Sequence, residues 1–318
     1  MIIEMMYTVS IAIPVIMSAI GAGIGQGLIG MKAIEAIHIQ PTASSEIRKI
    51  STVGLSFTET AAILGLVVSM MLYIDTSIPI SLYDAALGRI GMSFAIGLSG
   101  LIAGITSSLP AQAACLAVAQ QPFFSNKILQ LMLLTQTVIT TPNIFGFLIA
   151  LLIKAQAPFV TNLNEGLQLL AAGLSMGLGS LGPSIGLSTF AAAACTAIGV
   201  NRKSYSKILT FTFISEAIIE TPALFSFLVS LLILSIKIKP EASIVQGISF
   251  VAAALCMGLS TVGTGISTGI TGAQACKEIG QTPEQYSIIS NIGLFSLAMI
   301  DTCAIYGFII SILLIYTI

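Results

Sequence analysis

Three acidic side chains, Glu59, Glu220 and Asp301, lie in the middle of long apolar stretches. A charged side chain at the centre of a bilayer costs at least about 2.5–3.5 kcal/mol, so such a group is kept where it pairs, takes up a proton or binds an ion. A protonated carboxyl that only joins two helices would explain one isolated acid. Three acids at one position of an internal repeat, described below, instead predict functional sites that take up a proton or bind an ion.

A threonine follows each acid, as Thr60, Thr221 and Thr302. A hydroxyl and the backbone carbonyls near it are oxygen ligands, which hard cations prefer. A threonine that only donates to the carbonyl four residues earlier is the alternative, and it is common in membrane helices. In a fourth copy Thr140 replaces the acid and Thr141 follows it. That copy should bind no ion on its own helix, but Thr141 could help to complete the site of a neighbouring copy.

Two further polar residues belong to the candidate site. Gln26 is the one polar side chain in a glycine-rich stretch, and its depth predicts that it faces Glu59 across a helical hairpin. Glu216 precedes Glu220 by one helical turn. The sequence leaves two interpretations of Glu216 open, a second ligand or an acid without function at the lipid edge.

The composition places these residues in a membrane protein. The chain has 318 residues, of which 56% are hydrophobic and only 8% are charged, and its mean hydropathy is +1.02. A soluble domain carries about 25% charged residues, so this chain cannot cover a water-facing surface. Its net charge of −1 offers no basic surface for nucleic acid.

Catalysis is not expected from these residues. The single histidine, His38, lies near a turn and has no partner at a catalytic spacing. The five cysteines lie in apolar segments without metal-ligand spacing. There is no phosphate-binding glycine loop followed by lysine. The sequence therefore predicts a protein that is not an enzyme and has no resident cofactor.

Polar breaks divide the chain into apolar stretches that are long enough to cross a bilayer core of about 30 Å as helices. The fold class is predicted to be all-α, with short links that make neighbouring helices antiparallel. Two prolines that follow the threonines, Pro142 and Pro222, should kink their helices. The eight predicted spans are 8–37, 50–74, 90–118, 128–154, 166–198, 206–236, 244–278 and 286–317.

The chain repeats itself four times. The segment Gly21–Thr60 shifts by 81, 161 and 242 positions onto three more segments without a gap. The dipeptide Glu59-Thr60 then coincides with a Thr-Thr, a second Glu-Thr and an Asp-Thr pair. A gap-free register of this kind predicts tandem copies of one helical hairpin. The predicted repeats are 1–78, 79–160, 161–240 and 241–318.

Small residues recur on the first helix of each hairpin, for example in the pairs Gly21/Gly25 and Gly23/Gly27. Small residues let membrane helices approach closely. Two interpretations stay open, ordinary contact between helices in any transporter or the tight inner wall of a ring.

Basic residues predict the orientation in the membrane. Eight of the twelve Lys and Arg residues lie in or beside the turns inside the hairpins, which favours a cytoplasmic location for those turns and an outside location for both termini. The other four lie in the links between hairpins, at Arg89, Lys154, Lys237 and Lys239.

The segment GAGIGQGLIGMKAIEAIHIQP, followed by Glu59-Thr60 in mid-helix, resembles the rotor proteolipids of rotary ATPases. These are the c subunit of F-type enzymes and the related K-type proteolipid of V-type enzymes. The resemblance is strong in the first repeat and recognisable in the other three. Fusion of hairpins with loss of one acid is typical of the V-type proteins, whereas the first repeat looks more F-type, so the class of enzyme stays open.

The resemblance implies a rotor ring. Several copies would close into a cylinder with first helices inside and second helices outside. Each acid would bind H⁺ or Na⁺ and pair transiently with an essential Arg of a stator membrane subunit. Central-stalk rotor subunits and surrounding lipid would be the other partners.

The resemblance also bears on the ion. In relatives that use Na⁺, a Gln on the first helix and a Ser or Thr after the Glu complete the coordination. Gln26, Glu59 and Thr60 match that pattern, and Tyr306 matches a tyrosine seen near such sites. The residues favour Na⁺ and leave H⁺ open. A secondary transporter built from hairpins and a structural proteolipid that carries no ions are the competing hypotheses.

Overall fold

The computed structural model describes residues 2–75, 83–238 and 243–316. Within these residues the chain is helical, and the helices are joined by short turns. Lys239 and the predicted repeat limits at 78/79 and 240/241 lie outside the described residues. The helices are α1 (Ile2–Ile39), α2 (Ser44–Ile74), α3 (Tyr83–Thr106), α4 (Ser108–Gln120), α5 (Ser125–Gln156), α6 (Leu163–Gly179), α7 (Leu181–Val200), α8 (Tyr205–Ser235), α9 (Ile244–Gln281) and α10 (Tyr286–Tyr316).

Eight helical stretches in the described residues are long and apolar enough to cross a membrane, which confirms the predicted number of spans. Two stretches combine a pair of helices, Asp84–Gln120 from α3 and α4, and Leu163–Val200 from α6 and α7. A 31-residue helix such as α2 is about 46 Å long at 1.5 Å per residue. It therefore extends beyond the roughly 30 Å hydrocarbon core and carries the turns out of it.

Each first helix turns into its second helix through one short 3₁₀ turn. Proline begins three of the four turns, where its missing N–H costs nothing because the first N–H groups of a helix lack a partner. In the third turn Arg202 stands at the position of the proline, and the side-chain oxygen of the preceding Asn201 accepts a hydrogen bond from the Lys203 N–H at 3.1 Å. The four turns are Pro41–Ala43, Pro122–Phe124, Arg202–Ser204 and Pro283–Gln285.

The hairpins stand side by side in chain order and form two layers of helices. The first layer contains α1, α3/α4, α6/α7 and α9, and each member packs against the next. The second layer contains α2, α5, α8 and α10. Contact is much closer within the first layer than within the second, so the first layer takes the inner side of an arc. The first and fourth repeats lie at the two ends.

Glycines allow this close contact in the first layer. A Cβ on Gly25 would overlap the carbonyl oxygen of Gly104, and a Cβ on Gly186 would overlap the carbonyl oxygen of Gly265. The backbones of successive first helices therefore touch at these points. This is the arrangement expected of small residues in membrane helices.

Two first helices are interrupted by proline. Because proline has no N–H, it cannot bond to the carbonyl four residues earlier. The helix α3 ends at Thr106, four residues before Pro110, and α6 ends at Gly179, four residues before Pro183. The missing hydrogen bond of each proline thus coincides with the position of each interruption.

The second helices α5 and α8 run without a break through Pro142 and Pro222. The expected distortion at these two prolines is thus smaller than the interruption of the first helices. Pro14 is also accommodated inside α1. The Ser10 carbonyl, which loses its helical partner at Pro14, accepts a hydrogen bond from the Ser93 hydroxyl of α3 at 2.6 Å.

Exchange of Gly186 for alanine should destabilise the folded chain by about 1–3 kcal/mol, because the new methyl group meets the Gly265 backbone and not a flexible side chain. Gly23 is the matched control, since a Cβ there meets nothing within 4 Å. Unfolding of the detergent-solubilised single chain measures both variants. Equal stability of Gly186→Ala and Gly23→Ala would contradict the contact.

Candidate ion-binding site

The three mid-membrane acids occupy equivalent places in the second layer. Glu59, Glu220 and Asp301 are each the central residue of a 31-residue helix, in α2, α8 and α10 respectively. Because each acid is equally far from both ends of its helix, the three acids lie at one depth in the membrane. Their common depth follows from their common position in the repeat.

The surroundings of the acids differ with their place in the arc. Glu59, in the terminal repeat, is exposed, whereas Glu220 and Asp301 are half-buried. The Thr141 side chain of α5 lies in hydrogen-bonding range of the Glu220 carboxyl. A residue of the second repeat, which has no acid of its own, thus reaches the acid of the third repeat.

The four threonines at the repeated position all donate to a carbonyl of their own helix. This is the local bond weighed above as the alternative to a site. It uses the hydroxyl proton and leaves the oxygen free to accept a hydrogen bond or to coordinate a cation. The bonds are Thr60 to Phe57 at 2.6 Å, Thr141 to Thr137 at 3.3 Å, Thr221 to Ala217 at 3.0 Å and Thr302 to Met299 at 2.6 Å.

Gln26 and Tyr306 are not joined to the acids by hydrogen bonds in the described part of the chain. Gln26 is half-buried on α1, and Glu59 carries no hydrogen bond from it. Tyr306 is 65% exposed on the surface of α10. Both residues lie in the terminal repeats, where one side of the hairpin has no neighbour within the chain.

Asp301 has one side-chain oxygen, Oδ1, that is buried and has no hydrogen-bond partner among the described residues. A buried carboxylate oxygen without a donor is unfavourable in an apolar environment. Such a group requires a proton, a cation or a partner from outside the chain. The same requirement was inferred above from its position in mid-span.

Glu216 faces the interior of the protein. Its side chain is only 2% exposed, so the interpretation as an acid at the lipid edge is wrong. Its Oε1 is buried and without a hydrogen-bond partner in the described residues.

Asn143 is a central polar residue that sequence reasoning missed. It lies in α5 beyond Thr140, is 1% exposed, and its Oδ1 accepts a hydrogen bond from the Ser99 hydroxyl of α3 at 3.1 Å. The repeat without an acid therefore carries a neutral, inward-facing amide near the same depth. An amide within the apolar stretch TTPNIFGF was the signal that could have revealed it.

The fold and the repeated mid-helix acids define a multi-pass membrane protein built from helical hairpins. The family model for the c subunit of ATP synthase matches the chain four times, at residues 9–72, 90–153, 170–233 and 251–314. The chain belongs to this ATP synthase proteolipid family. The membership confirms the resemblance to rotary ATPase proteolipids and the expectation of a non-catalytic subunit. The matches do not fix the limits between the repeats, which stay predictions.

Individual relatives agree with the family. The chain is 30% identical to the K subunit of the A-type ATP synthase of Methanocaldococcus jannaschii, over 72% of this chain and 95% of the relative. It is 30% identical to the K subunit of the V-type sodium ATPase of Enterococcus hirae, over 47% of this chain and 88% of the relative. One repeat length, 22% of this chain, is 38% identical to 91% of the ATP synthase c subunit of Chloroflexus aurantiacus.

Loss of the Thr141 hydroxyl should weaken ion binding at Glu220. Because the Thr141 proton goes to the Thr137 carbonyl, the hydroxyl oxygen acts at Glu220 as an acceptor or a cation ligand. A polar contact with a charged group contributes about 1.5 kcal/mol, so Thr141→Val should raise the ion concentration that half-protects Glu220 from a carbodiimide about tenfold. The readout is peptide mass spectrometry of the modified carboxyl.

Thr137→Val is the matched control, because Thr137 is exposed one turn earlier on α5 and donates to the Leu133 carbonyl. The contact would have no role in the site if Thr141→Val and Thr137→Val gave the same half-protecting concentration.

Proposed function

We propose that the chain is an ion-carrying subunit of the membrane rotor ring of a rotary ATPase or ATP synthase. The observation that carries the proposal is the location of Glu59, Glu220 and Asp301, central in three helices of the second layer and at one depth. Each carboxyl takes up Na⁺ or H⁺, crosses the lipid-facing part of the turn in neutral form, and releases the ion beside the stator. A neutral site avoids the cost that a bare carboxylate has in lipid.

The open edge of the first repeat supports closure into a ring. A Cβ placed on Gly23, Gly27 or Gly30 of α1 would meet nothing within 4 Å. A shift of 242 positions brings Gly23 and Gly27 onto Gly265 and Gly269 of α9. Those two glycines touch the backbone of α7. The free face of α1 is thus a copy of a face that already packs against a neighbouring hairpin.

The open edge of the fourth repeat is the complementary face. Gly263 of α9, which has open space around its Cβ position, corresponds to Gly21 and Gly182. In the first and third repeats these glycines lie against the backbone of the next first helix, at Leu101 and Thr261 respectively. The α9 edge of one copy therefore fits the α1 edge of another, and repetition of this contact closes a homo-oligomeric ring.

Ring closure also completes the exposed site at Glu59. Within the chain, the helix α5 of the preceding repeat presents Thr141 to Glu220. Among the described helices none takes the corresponding place beside Glu59. In the ring, α10 of the adjacent copy takes that place and presents Thr302, the residue equivalent to Thr141.

The ion is proposed to be Na⁺, with H⁺ as the alternative. Gln26, Glu59 and Thr60 supply an amide, a carboxylate and a hydroxyl oxygen, which suit a hard cation. The relative from Enterococcus hirae belongs, as its name states, to a sodium ATPase. Tyr306 extends the set at the fourth repeat, where it follows Asp301 by just over one turn.

The proposed partners follow from the rotor role. An Arg of a stator membrane subunit pairs with each emptied carboxylate, and central-stalk subunits bind the turns inside the hairpins, which face the cytoplasm while both termini lie outside. One charge that crosses 100 mV gains about 2.3 kcal/mol. If the ring holds only this chain, three of every four hairpins carry an acid, which lowers the energy gained per turn and favours pumping.

A carbodiimide should modify Glu59, Glu220 and Asp301 in the assembled protein, and added Na⁺ should protect all three. Carbodiimides react with protonated carboxyls in apolar surroundings, and a bound cation blocks that reaction. The second repeat, with Thr140 at the equivalent position, is the internal control and should stay unmodified. Protection by high pH but not by Na⁺ would indicate H⁺, and no reaction at any acid would refute the rotor proposal.

A bulky side chain at the open α1 edge should prevent ring closure without unfolding the chain. Gly27→Leu is expected to give helical single chains in detergent and no closed ring by native mass spectrometry. Met31→Leu, which places the same new residue on the same helix without adding bulk at an exposed position, is the control and should form rings. Normal rings from Gly27→Leu would contradict the proposed interface.

A further inference from the structure

Glu216 is a buried acid that the rotor cycle does not use. It is 2% exposed, its Oε1 has no hydrogen-bond partner, and no ion pair reaches it within the described residues. The buried thiols Cys195 of α7 and Cys276 of α9 lie within electrostatic range of its carboxyl. The side chain therefore extends between the first helices of the third and fourth repeats, away from the outer surface of α8.

Two hydroxyls lie close to Glu216 along α8. Thr212 lies four residues before Glu216 and three before Ser215, spacings that place side chains about 5–6 Å apart on a helix, whereas Ser215 and Glu216 are consecutive and point in different directions around it. Thr212 and Ser215 are fully buried. The Thr212 Oγ1 and the Ser215 Oγ also lack any hydrogen-bond partner among the described residues.

The Thr212 and Ser215 hydroxyls lack the usual bond of a helical Ser or Thr, which donates to a carbonyl three or four residues earlier, as Thr210 does to Ser206 at 3.1 Å and Ser230 does to Ser226 at 2.9 Å. The buried Ser226 hydroxyl of α8 also lacks a partner, so the acid beside Thr212 and Ser215, and not the free hydroxyls alone, distinguishes this part of the helix. Three buried oxygens close together along α8 are left without a partner, which is costly in an apolar environment unless a ligand satisfies them.

The second repeat shows how the same place is filled without a ligand. Gln136 corresponds to Glu216 and is also fully buried. Its Nε2 donates to the Ser107 carbonyl at 2.8 Å, at the interruption between α3 and α4, while its Oε1 is buried and without a partner in the described residues. An ionised Glu216 has no donor for such a bond and carries a charge that Gln136 lacks. The first and fourth repeats have Leu55 and Leu297 at the equivalent position.

We propose that the Thr212, Ser215 and Glu216 side chains bind one resident Na⁺ between α8 and the first helices of the third and fourth repeats. Hydroxyl and carboxylate oxygens are the ligands that a hard cation takes, and one positive charge neutralises the single acid. A proton on Glu216 is the competing explanation, and the Na⁺ count described below distinguishes the two. Glu216 lies within electrostatic range of Glu220, but the ligands of this site differ from those of the carried ion, and the proposal does not depend on the rotor function proposed above.

The test counts Na⁺ in assembled protein from which the three carried ions have been removed. Wild-type protein is first modified with carbodiimide at Glu59, Glu220 and Asp301, which requires no substitution at the new site. Equilibrium dialysis against ²²Na⁺ should then show one ion per chain. No bound Na⁺ would overturn the proposal, including the case in which Glu216 only holds a proton.

Substitutions taken from the other repeats assign the remaining ion. In an E59Q/E220Q/D301N background, E216Q should weaken Na⁺ binding at least tenfold and E216L should abolish it, as measured by the same dialysis. T212V and S215A should each weaken it as well. Helicity and native mass show that each variant is folded and assembled. Retention of one Na⁺ per chain in assembled E216L would assign the ion elsewhere and overturn the proposal.

Discussion

The close contact between glycine faces in the first layer determines the geometry of the whole molecule. Where Gly186 meets Gly265, two helix backbones touch, because no Cβ keeps them apart. The second helices have larger side chains between them, so the layers differ in spacing and the hairpins form an arc. The same spacing brings Thr141 of α5 to Glu220 of α8. The close packing of the first helices thus determines which side chains of the second helices lie next to each acid.

The absence of water in the bilayer core explains the polar contacts of the structure. Helices satisfy their own backbone, which is the condition for crossing lipid. Most hydroxyls bond to a carbonyl one turn earlier, and the carbonyl that Pro14 leaves free is taken up by Ser93. Among the buried polar atoms of the described residues that have no hydrogen-bond partner, those of Asp301 and Glu216 belong to acids. Each marks a place where the chain alone does not complete its hydrogen bonding, and a cation or a proton is the remaining partner.

Much of the fold was predictable because its determinants are local or periodic. The apolar stretches predicted eight helices, and the gap-free repeat placed Glu59, Glu220 and Asp301 at one depth. Other features depend on neighbours that are distant in the chain. The inward direction of Glu216 and the pairing of Asn143 with Ser99 are decided by which hairpin lies next to which. Proline alone does not predict the interruptions at Thr106 and Gly179, because Pro14, Pro142 and Pro222 lie inside unbroken helices.

The sequence by itself determined the membrane location, the hairpin repeat, the depth of the acids and the family, because hydropathy, repeat length and motif are properties of the chain in one dimension. Tertiary structure decided which neighbour completes each acid and which edges of the chain stay open. It also decided that Glu216 is enclosed and not exposed to lipid. The physical reason is that a helix with a periodic sequence has several faces that could contact a neighbouring helix. Which face does so is decided only when the helices pack together.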